Sequence, residues 1–290
     1  MSLPSRRLAT AALLAALVPF AGCDRTPTPA APPRTQIVFA TLYPLADIAR
    51  QVGGDLVKVD WLFDLGDPLD RYALDAADRV RMAGADLILC DGAGRTETWA
   101  LRELDRIRET DALVPVDQTK DAWQAPPGGL LVLDPTLAGQ YAYNLAAALN
   151  RRVPSRGGQF RQNADAFVAK IDAAVASFRA PPDAQAVVLT NTFSPMLIRL
   201  GVRPVYYGAD VLHLTPADAD AIRRTADAAG VRTVLVGFDT PPGTLARLEQ
   251  LTGLKPFTLD PMGYPNYGQH GSYLDVLTYN LDQLRLATSW

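Results

Sequence analysis

The stretch Gln159–Ala180 reads QFRQNADAFVAKIDAAVASFRA and contains neither glycine nor proline. Its apolar side chains recur at intervals of three and four residues, which places them on one face of an α-helix. These side chains are Phe160, Ala164, Phe167, Ile171, Ala174, Val175 and Phe178. The pattern predicts one long helix with a buried face near the middle of the chain.

Short apolar runs alternate with amphipathic segments on both sides of this helix. The runs before it are QIVFA, VKVDWLF and ADLILC, and those after it are AVVLT, VRPVYY, RTVLV and KPFTL. Such alternation is typical of βαβ units, in which helices connect parallel strands. We therefore predict an α/β protein with two α/β lobes, each built on a central parallel sheet, joined by one long rigid helix.

The amino terminus has the pattern of an export signal. Arg6 and Arg7 precede an apolar run over residues 8–22, which is short for a membrane-spanning helix. The run ends in FAGC, which resembles the lipobox of bacterial lipoproteins and makes Cys23 the predicted site of lipidation. The alternative is an ordinary cleaved signal that contains a cysteine. The proline-rich segment DRTPTPAAPPRT that follows is predicted to be an extended tether.

These patterns divide the chain into five segments. We expect a signal peptide over 1–22, a lipoprotein tether over 23–35, an N-terminal lobe over 36–153, a connecting helix over 154–180 and a C-terminal lobe over 181–290.

Composition and motifs exclude several functions. Lys and Arg total 28 and Asp and Glu total 31, a net charge of −3 that gives no general attraction for nucleic acid. Cys90 ends an apolar run, so we expect a buried strand cysteine without redox chemistry. The sequence has no nucleophile and base at a recognisable spacing, and we predict that the protein is not an enzyme.

Four motifs carry a resemblance to a known family. They are ATLYPLADIARQVGGD at 40–55, ADLILCDGAG at 85–94, LVLDP at 131–135 and LDPMGYPNYGQHGSYLDVLTYNLDQL at 259–284. Together they resemble the solute-binding receptors of bacterial zinc and manganese ABC importers. The resemblance implies a monomeric, membrane-anchored lipoprotein of the periplasm or cell envelope, facing outside the cytoplasm. It would deliver cargo from a cleft between the lobes to an ABC permease in the inner membrane.

The family's four metal ligands transfer poorly to this chain. The first, the histidine of a Pro-His pair, falls on Leu69, and the second, a histidine four residues before an Asp-Pro pair, falls on Leu130. The third falls near Asn191, and the fourth is retained as Asp260. Leucine has no lone pair to donate, and one carboxylate with a neutral amide binds a transition ion poorly. The resemblance thus implies a receptor with a degenerate metal site.

A replacement site is one alternative. His270 lies in the loop after Asp260, and the family pattern places three further aspartates nearby, which are Asp67, Asp70 and Asp239. Carboxylates with one imidazole suit a harder ion such as manganese or calcium. We therefore consider a divalent metal ion, manganese or zinc, at a non-standard site held by Asp260 and His270. His213 precedes a helix and is expected at the surface or packed in a loop.

Two further alternatives remain open. In the first, the cleft binds a small organic molecule or a metal chelate, with apolar and aromatic side chains lining it and a few polar groups orienting the ligand. The apolar set is Tyr43, Leu69, Tyr72, Leu130 and Phe193, and the polar set is Arg71, Asn191 and Asp260. Alternatively, Leu69 and Leu130 pack together across a closed interface, and the protein is a ligand-free adaptor lipoprotein.

Overall fold

The computed structural model describes residues 33–63, 72–91, 113–115, 128–265 and 268–290. The predicted signal peptide and Cys23 lie outside these residues. Within the described ranges, no helix is both long and apolar enough to cross a membrane.

Eight strands and eight α-helices occupy the described residues. The strands are β1 (Gln36–Ala40), β2 (Val57–Trp61), β3 (Leu87–Cys90), β4 (Leu113–Pro115), β5 (Gln185–Val188), β6 (Arg203–Tyr206), β7 (Thr233–Gly237) and β8 (Lys255–Leu259). The helices are α1 (Tyr43–Gly53), α2 (Ala76–Gly84), α3 (Pro135–Arg152), α4 (Gly157–Ala176), α5 (Ser194–Arg199), α6 (Pro216–Ala229), α7 (Pro242–Thr252) and α8 (Tyr273–Ser289).

The strands form two parallel sheets. The first has the order β2-β1-β3-β4 and the second the order β6-β5-β7-β8, and every strand pair within them is parallel. Parallel strands need crossover connections, which explains the alternation of apolar runs and helical segments in the sequence. The prediction of two α/β lobes with central parallel sheets is confirmed.

The predicted long helix is α4, which lies between α3 of the first lobe and β5 of the second. It packs against α1 and α3 of the first lobe and against α8 of the second. The buried residues of its predicted face are Phe160, Ala164, Phe167 and Ile171. The helix ends at Ala176, four residues earlier than the sequence pattern suggests. Pro181 disfavours helical backbone at Ala180, and Ser177 Oγ donates to the Ala174 carbonyl in the final turn.

Both ends of α6 have the caps that their residues favour, and one smaller prediction also holds. Thr215 caps α6 through a reciprocal pair of hydrogen bonds with Asp218, and Gly230 ends the helix in the left-handed conformation with φ of 67°. Cys90 is buried at the end of β3. The segment boundaries proposed from the sequence stay predictions.

We expect Phe167→Ala to lower the free energy of unfolding by about 3–5 kcal/mol, because it empties a large site on the buried face of α4. Phe167 is 2% exposed, and its ring centroid lies 5.7 Å from that of Tyr273 in the second lobe. Urea unfolding followed by circular dichroism measures the change. Lys170→Ala, at an exposed position of the same helix, should change it by no more than about 0.5 kcal/mol. Equal losses of unfolding free energy in the two variants would contradict a buried contact between the lobes at Phe167.

Candidate functional site

Asp260 lies at the carboxyl end of β8 and is completely buried. Its Oδ1 accepts hydrogen bonds from the main-chain N–H groups of Met262 and Gly263, both at 2.9 Å. Its Oδ2 lies 2.6 Å from Nδ1 of His270. The carboxylate therefore organises the loop that follows it and holds the imidazole of His270.

The loop closes on itself at Gly263. Gly263 has φ of 66°, and a Cβ atom there would lie 2.9 Å from the His270 carbonyl oxygen and 2.7 Å from a methyl group of Val276. A side chain at this position would therefore strain the backbone and push the His270 segment away. Tyr264 N–H donates to the same His270 carbonyl at 2.7 Å. These contacts keep His270 directly beside Asp260.

Aromatic rings surround the imidazole of His270. Its ring centroid lies 4.2 Å from that of Phe238 and 4.6 Å from that of Tyr279. Burial raises the pKa of the Tyr279 hydroxyl, and burial together with the charge of Asp260 raises the pKa of Tyr264. The Asp260 and His270 pair thus occupies an environment of low polarity.

Leu130 and Asn191, the second and third positions that the resemblance assigns, lie close together across the two lobes. Leu130 N–H donates to the Thr192 carbonyl at 3.0 Å. The Leu130 side chain is completely buried, Phe193 is 1% exposed, and Asn191 is partly buried. The side chain at position 130 is therefore part of the apolar core.

The other predicted residues lie at different distances from the Asp260 loop. Tyr43 joins the Asp260 loop, because its hydroxyl donates to the Gly271 carbonyl at 2.7 Å. Tyr72 does not, since its ring packs at 4.9 Å against Phe63 and its hydroxyl donates to Asp78 at the start of α2. Asp239 and His213 are both exposed, and exposure at the surface is one of the two placements expected for His213. The remaining predicted positions, Asp67, Leu69, Asp70 and Arg71, lie outside the described residues.

Two contacts between the lobes are absent from the sequence prediction. Arg199 Nε, on α5, bonds both carboxylate oxygens of Asp134, at 2.8 and 3.0 Å. Asp47 Oδ2, on α1, accepts from the N–H of Tyr273 at the start of α8, at 2.9 Å. The pair Asp134-Pro135 is a recognisable helix start, and Asp134 does cap α3. No local signal identifies its partner Arg199.

Burial raises the pKa of both carboxyl groups. For Asp134, the Arg199 guanidinium and the N–H groups of α3 oppose the effect. For Asp47, the Tyr273 N–H and Arg50 oppose it. Each carboxylate also lies at a helix amino terminus, which favours its charged form. The groups around the two carboxylates at the contact between the lobes therefore offset only part of the cost of burying them.

The described donors do not make a metal coordination shell. No group of three or more His, Cys, Asp and Glu side chains that could hold a metal ion occurs within the part of the chain that the structure describes. Asp260 and His270 are two such donors, and each bonds the other. A zinc ion in a protein usually takes four ligands, so these two residues alone do not fit it.

Comparison with known proteins identifies the class. The sequence profile of the ZnuA family, described as the periplasmic component A of a zinc-uptake complex, matches residues 38–287. The fold and this match define a solute-binding component of a metal-uptake transporter, a class of transport proteins without enzymatic activity. The chain belongs to the ZnuA family.

Three relatives illustrate the similarity. The metal-dependent lipoprotein YcdH of Bacillus subtilis is 19% identical with a TM-score of 0.75, over 87% of this chain and 99% of that one. A manganese-bound periplasmic metal binding protein of Candidatus Liberibacter asiaticus is 18% identical with a TM-score of 0.72, over 86% of this chain and 98% of that one. The iron-binding protein YfeA of Yersinia pestis is 26% identical over 157 residues, 49% of this chain and 47% of YfeA. The match thus spans about half the length of YfeA.

We expect Asp47→Asn to change how stability depends on pH. A carboxyl group whose pKa is raised by folding stabilises the protein most below its ordinary pKa of about 4, and this contribution is lost as pH rises through the folded value. The stability of the unmodified protein relative to Asp47→Asn should therefore fall as pH rises from about 4 towards neutrality. Asparagine Oδ1 still accepts from Tyr273 N–H, which keeps the contact in place.

Urea unfolding of both proteins across this pH range measures the difference. Asp172→Asn, at an exposed position of α4, is the control and should follow the unmodified protein at every pH. A stability difference for Asp47→Asn that grows in favour of the unmodified protein with rising pH would show that the sign of the Asp47 effect is wrong.

Proposed function

We propose that the protein is an exported receptor that binds cargo between its two lobes and delivers it to an ABC permease in the inner membrane. Acylation at Cys23 would hold it to the membrane, with residues 24–35 as the tether. Membership of the ZnuA family and the two-lobe fold support this proposal. In this reading the protein acts in the periplasm or cell envelope as a monomer.

The finer proposal is that its metal site is degenerate. The observation that carries this proposal is the burial of Leu130. Its side chain is completely buried, and its main-chain N–H donates to the Thr192 carbonyl of the other lobe. No donor atom is available on that side chain. The retained carboxylate, Asp260, already accepts two main-chain N–H groups and contacts His270. A bare transition ion would have to compete with these bonds.

Asp260 and His270 nevertheless suit a modified site. A carboxylate bonded to one imidazole nitrogen fixes the ring orientation and makes the other nitrogen a better ligand. In the proposed receptor, Asp260 orients the imidazole ring and His270 supplies the donor atom. A site with this single donor binds a metal ion more weakly than a site with four ligands. Manganese and zinc ions are the cargo considered for such a site.

A second candidate cargo is a metal chelate or a small organic molecule. The rings of Phe238 and Tyr279 against His270, together with the hydroxyl of Tyr43 at Gly271, favour it. Aromatic walls with a few polar groups are typical of sites for organic ligands. A chelate would bring most of its own metal ligands and would need few from the protein.

We expect the mature protein, stripped with a chelator, to lack a tight zinc site. Titration calorimetry with zinc chloride should show affinity weaker than micromolar, and elemental analysis of the purified protein should show far less than one zinc per chain. The reason is the absence of donor atoms at Leu69 and Leu130. Near-stoichiometric zinc with submicromolar affinity would contradict the degenerate site.

The double variant Leu69→His, Leu130→His should raise zinc affinity by a factor on the order of ten or more, because it adds two imidazole donors. The double variant Leu69→Ala, Leu130→Ala is the control for lost side-chain volume and should leave zinc affinity unchanged. Thermal unfolding verifies that each variant is folded. Equal zinc affinity in the histidine and alanine variants would mean that these two positions do not face a common site.

Native mass spectrometry of the protein isolated from its own periplasm distinguishes the cargo candidates. A mass increase of a single ion supports a metal receptor, and an increase of several hundred daltons supports a chelate or organic ligand. An unliganded mass, with no rise in melting temperature on adding metals or periplasmic extract, would favour the ligand-free adaptor.

A further inference from the structure

Asn280 makes a two-point contact with the main chain of Asp260. Its Oδ1 accepts from Asp260 N–H at 2.7 Å, and its Nδ2 donates to the Asp260 carbonyl at 2.8 Å. Asn280 lies on α8 and is completely buried. A buried carboxamide that satisfies both main-chain groups of one residue fixes both peptide planes around it.

This contact begins where the sheet ends. The pairing between β7 and β8 stops at Gly237 and Leu259, and β8 is an edge strand of its sheet. Asp260 is the next residue, so the side chain of Asn280 takes the place that a neighbouring strand would occupy. Loss of the carboxamide would leave buried main-chain groups unsatisfied, which costs free energy and favours a rotated peptide.

Other contacts hold α8 on the sheet without involving Asp260. The hydroxyl groups of Thr258 and Tyr279 lie 2.6 Å apart, and Thr233 Oγ1 donates to the Ala287 carbonyl. Val276, Leu277, Leu281 and Leu284 are buried on the same helix. Since other groups dock α8 on the sheet, the contribution particular to Asn280 is to orient Asp260.

We propose that Asn280 is a positioning residue for the cargo site, which sets the direction of the Asp260 carboxylate and through it the place of His270. The inference rests on the proposed function for its link to cargo. The orientation of Asp260 is measurable without any cargo. The carboxylate points at the Met262 and Gly263 amides because the peptide planes on both sides of Asp260 are fixed by Asn280.

The test compares Asn280→Asp and Asn280→Leu with Thr258→Val. Asn280→Asp keeps the size and one acceptor but places a second oxygen against the Asp260 carbonyl, while Asn280→Leu removes both bonds. Thr258→Val removes a neighbouring contact between β8 and α8, the one with Tyr279, and keeps both bonds between Asn280 and Asp260. Assigned nuclear magnetic resonance spectra of the full mature protein report the amide protons of Met262 and Gly263, which the carboxylate shifts downfield.

We expect both Asn280 variants to lose this downfield shift and Thr258→Val to keep it. Unchanged Met262 and Gly263 resonances in the Asn280 variants would overturn the proposal, as would an equal loss in Thr258→Val. If neither Asn280 variant folds, amide hydrogen exchange in the unmodified protein tests whether Asn280 fixes the main chain at Asp260. The amides of Asp260, Met262 and Gly263 should exchange at similar slow rates, and exchange of Asp260 on the order of tenfold faster would overturn the proposal.

Titration with manganese chloride tests the link to cargo separately. Asn280→Asp should weaken the apparent affinity several-fold, with Thr258→Val equal to the unmodified protein, and equal affinity in all three proteins would overturn that link. If the unmodified protein binds no manganese, manganese cargo fails under the proposed function. The resonance shifts of Met262 and Gly263 then still decide whether Asn280 positions Asp260.

Discussion

The burial of one face of α4 is the constraint on which the arrangement of both lobes depends. That face packs against α1 and α3 on one side and α8 on the other, with the rings of Phe167 and Tyr273 in contact. Because α8 is fixed there, its first N–H reaches Asp47, and Asn280 further along reaches Asp260. The closely packed contact of α4 with α1, α3 and α8 resists large relative motion of the lobes. Any opening for cargo must therefore be small or must break polar contacts at the seam.

Those polar contacts explain how the seam tolerates buried charge. Asp134 and Asp47 lie at the amino termini of α3 and α8, where main-chain N–H groups and the helix dipole stabilise an anion. Arg199 adds a guanidinium to Asp134 from the other lobe. Burial still raises the pKa of both carboxyl groups, so the compensation is partial. Protein groups therefore offset part of the cost of burying these two carboxylates.

Much of the fold is predictable from the sequence because its signals are local. The period of α4, the cap at Thr215 and the apolar strands each depend on neighbouring residues, and the structure agrees with them. The site is less predictable, since its contacts join distant positions: Arg199 and Asp134 are 65 residues apart. The sequence places His270 in the loop after Asp260 but carries no sign that it bonds Asp260. The assignments to Leu69 and Arg71 stay predictions.

The pairing of Asp260 with His270 suggests what the carboxylate does at the proposed site. Asp260 directs one oxygen to two main-chain N–H groups and the other to an imidazole. That is the geometry of an orienting group behind a ligand. In the proposed receptor, the role of donor has thus moved from Asp260 to His270, while Leu130 contributes only apolar surface. Under that proposal, a site with one nitrogen donor and aromatic walls would favour cargo that arrives with ligands of its own, since a bare ion would find too few donors to replace its water shell.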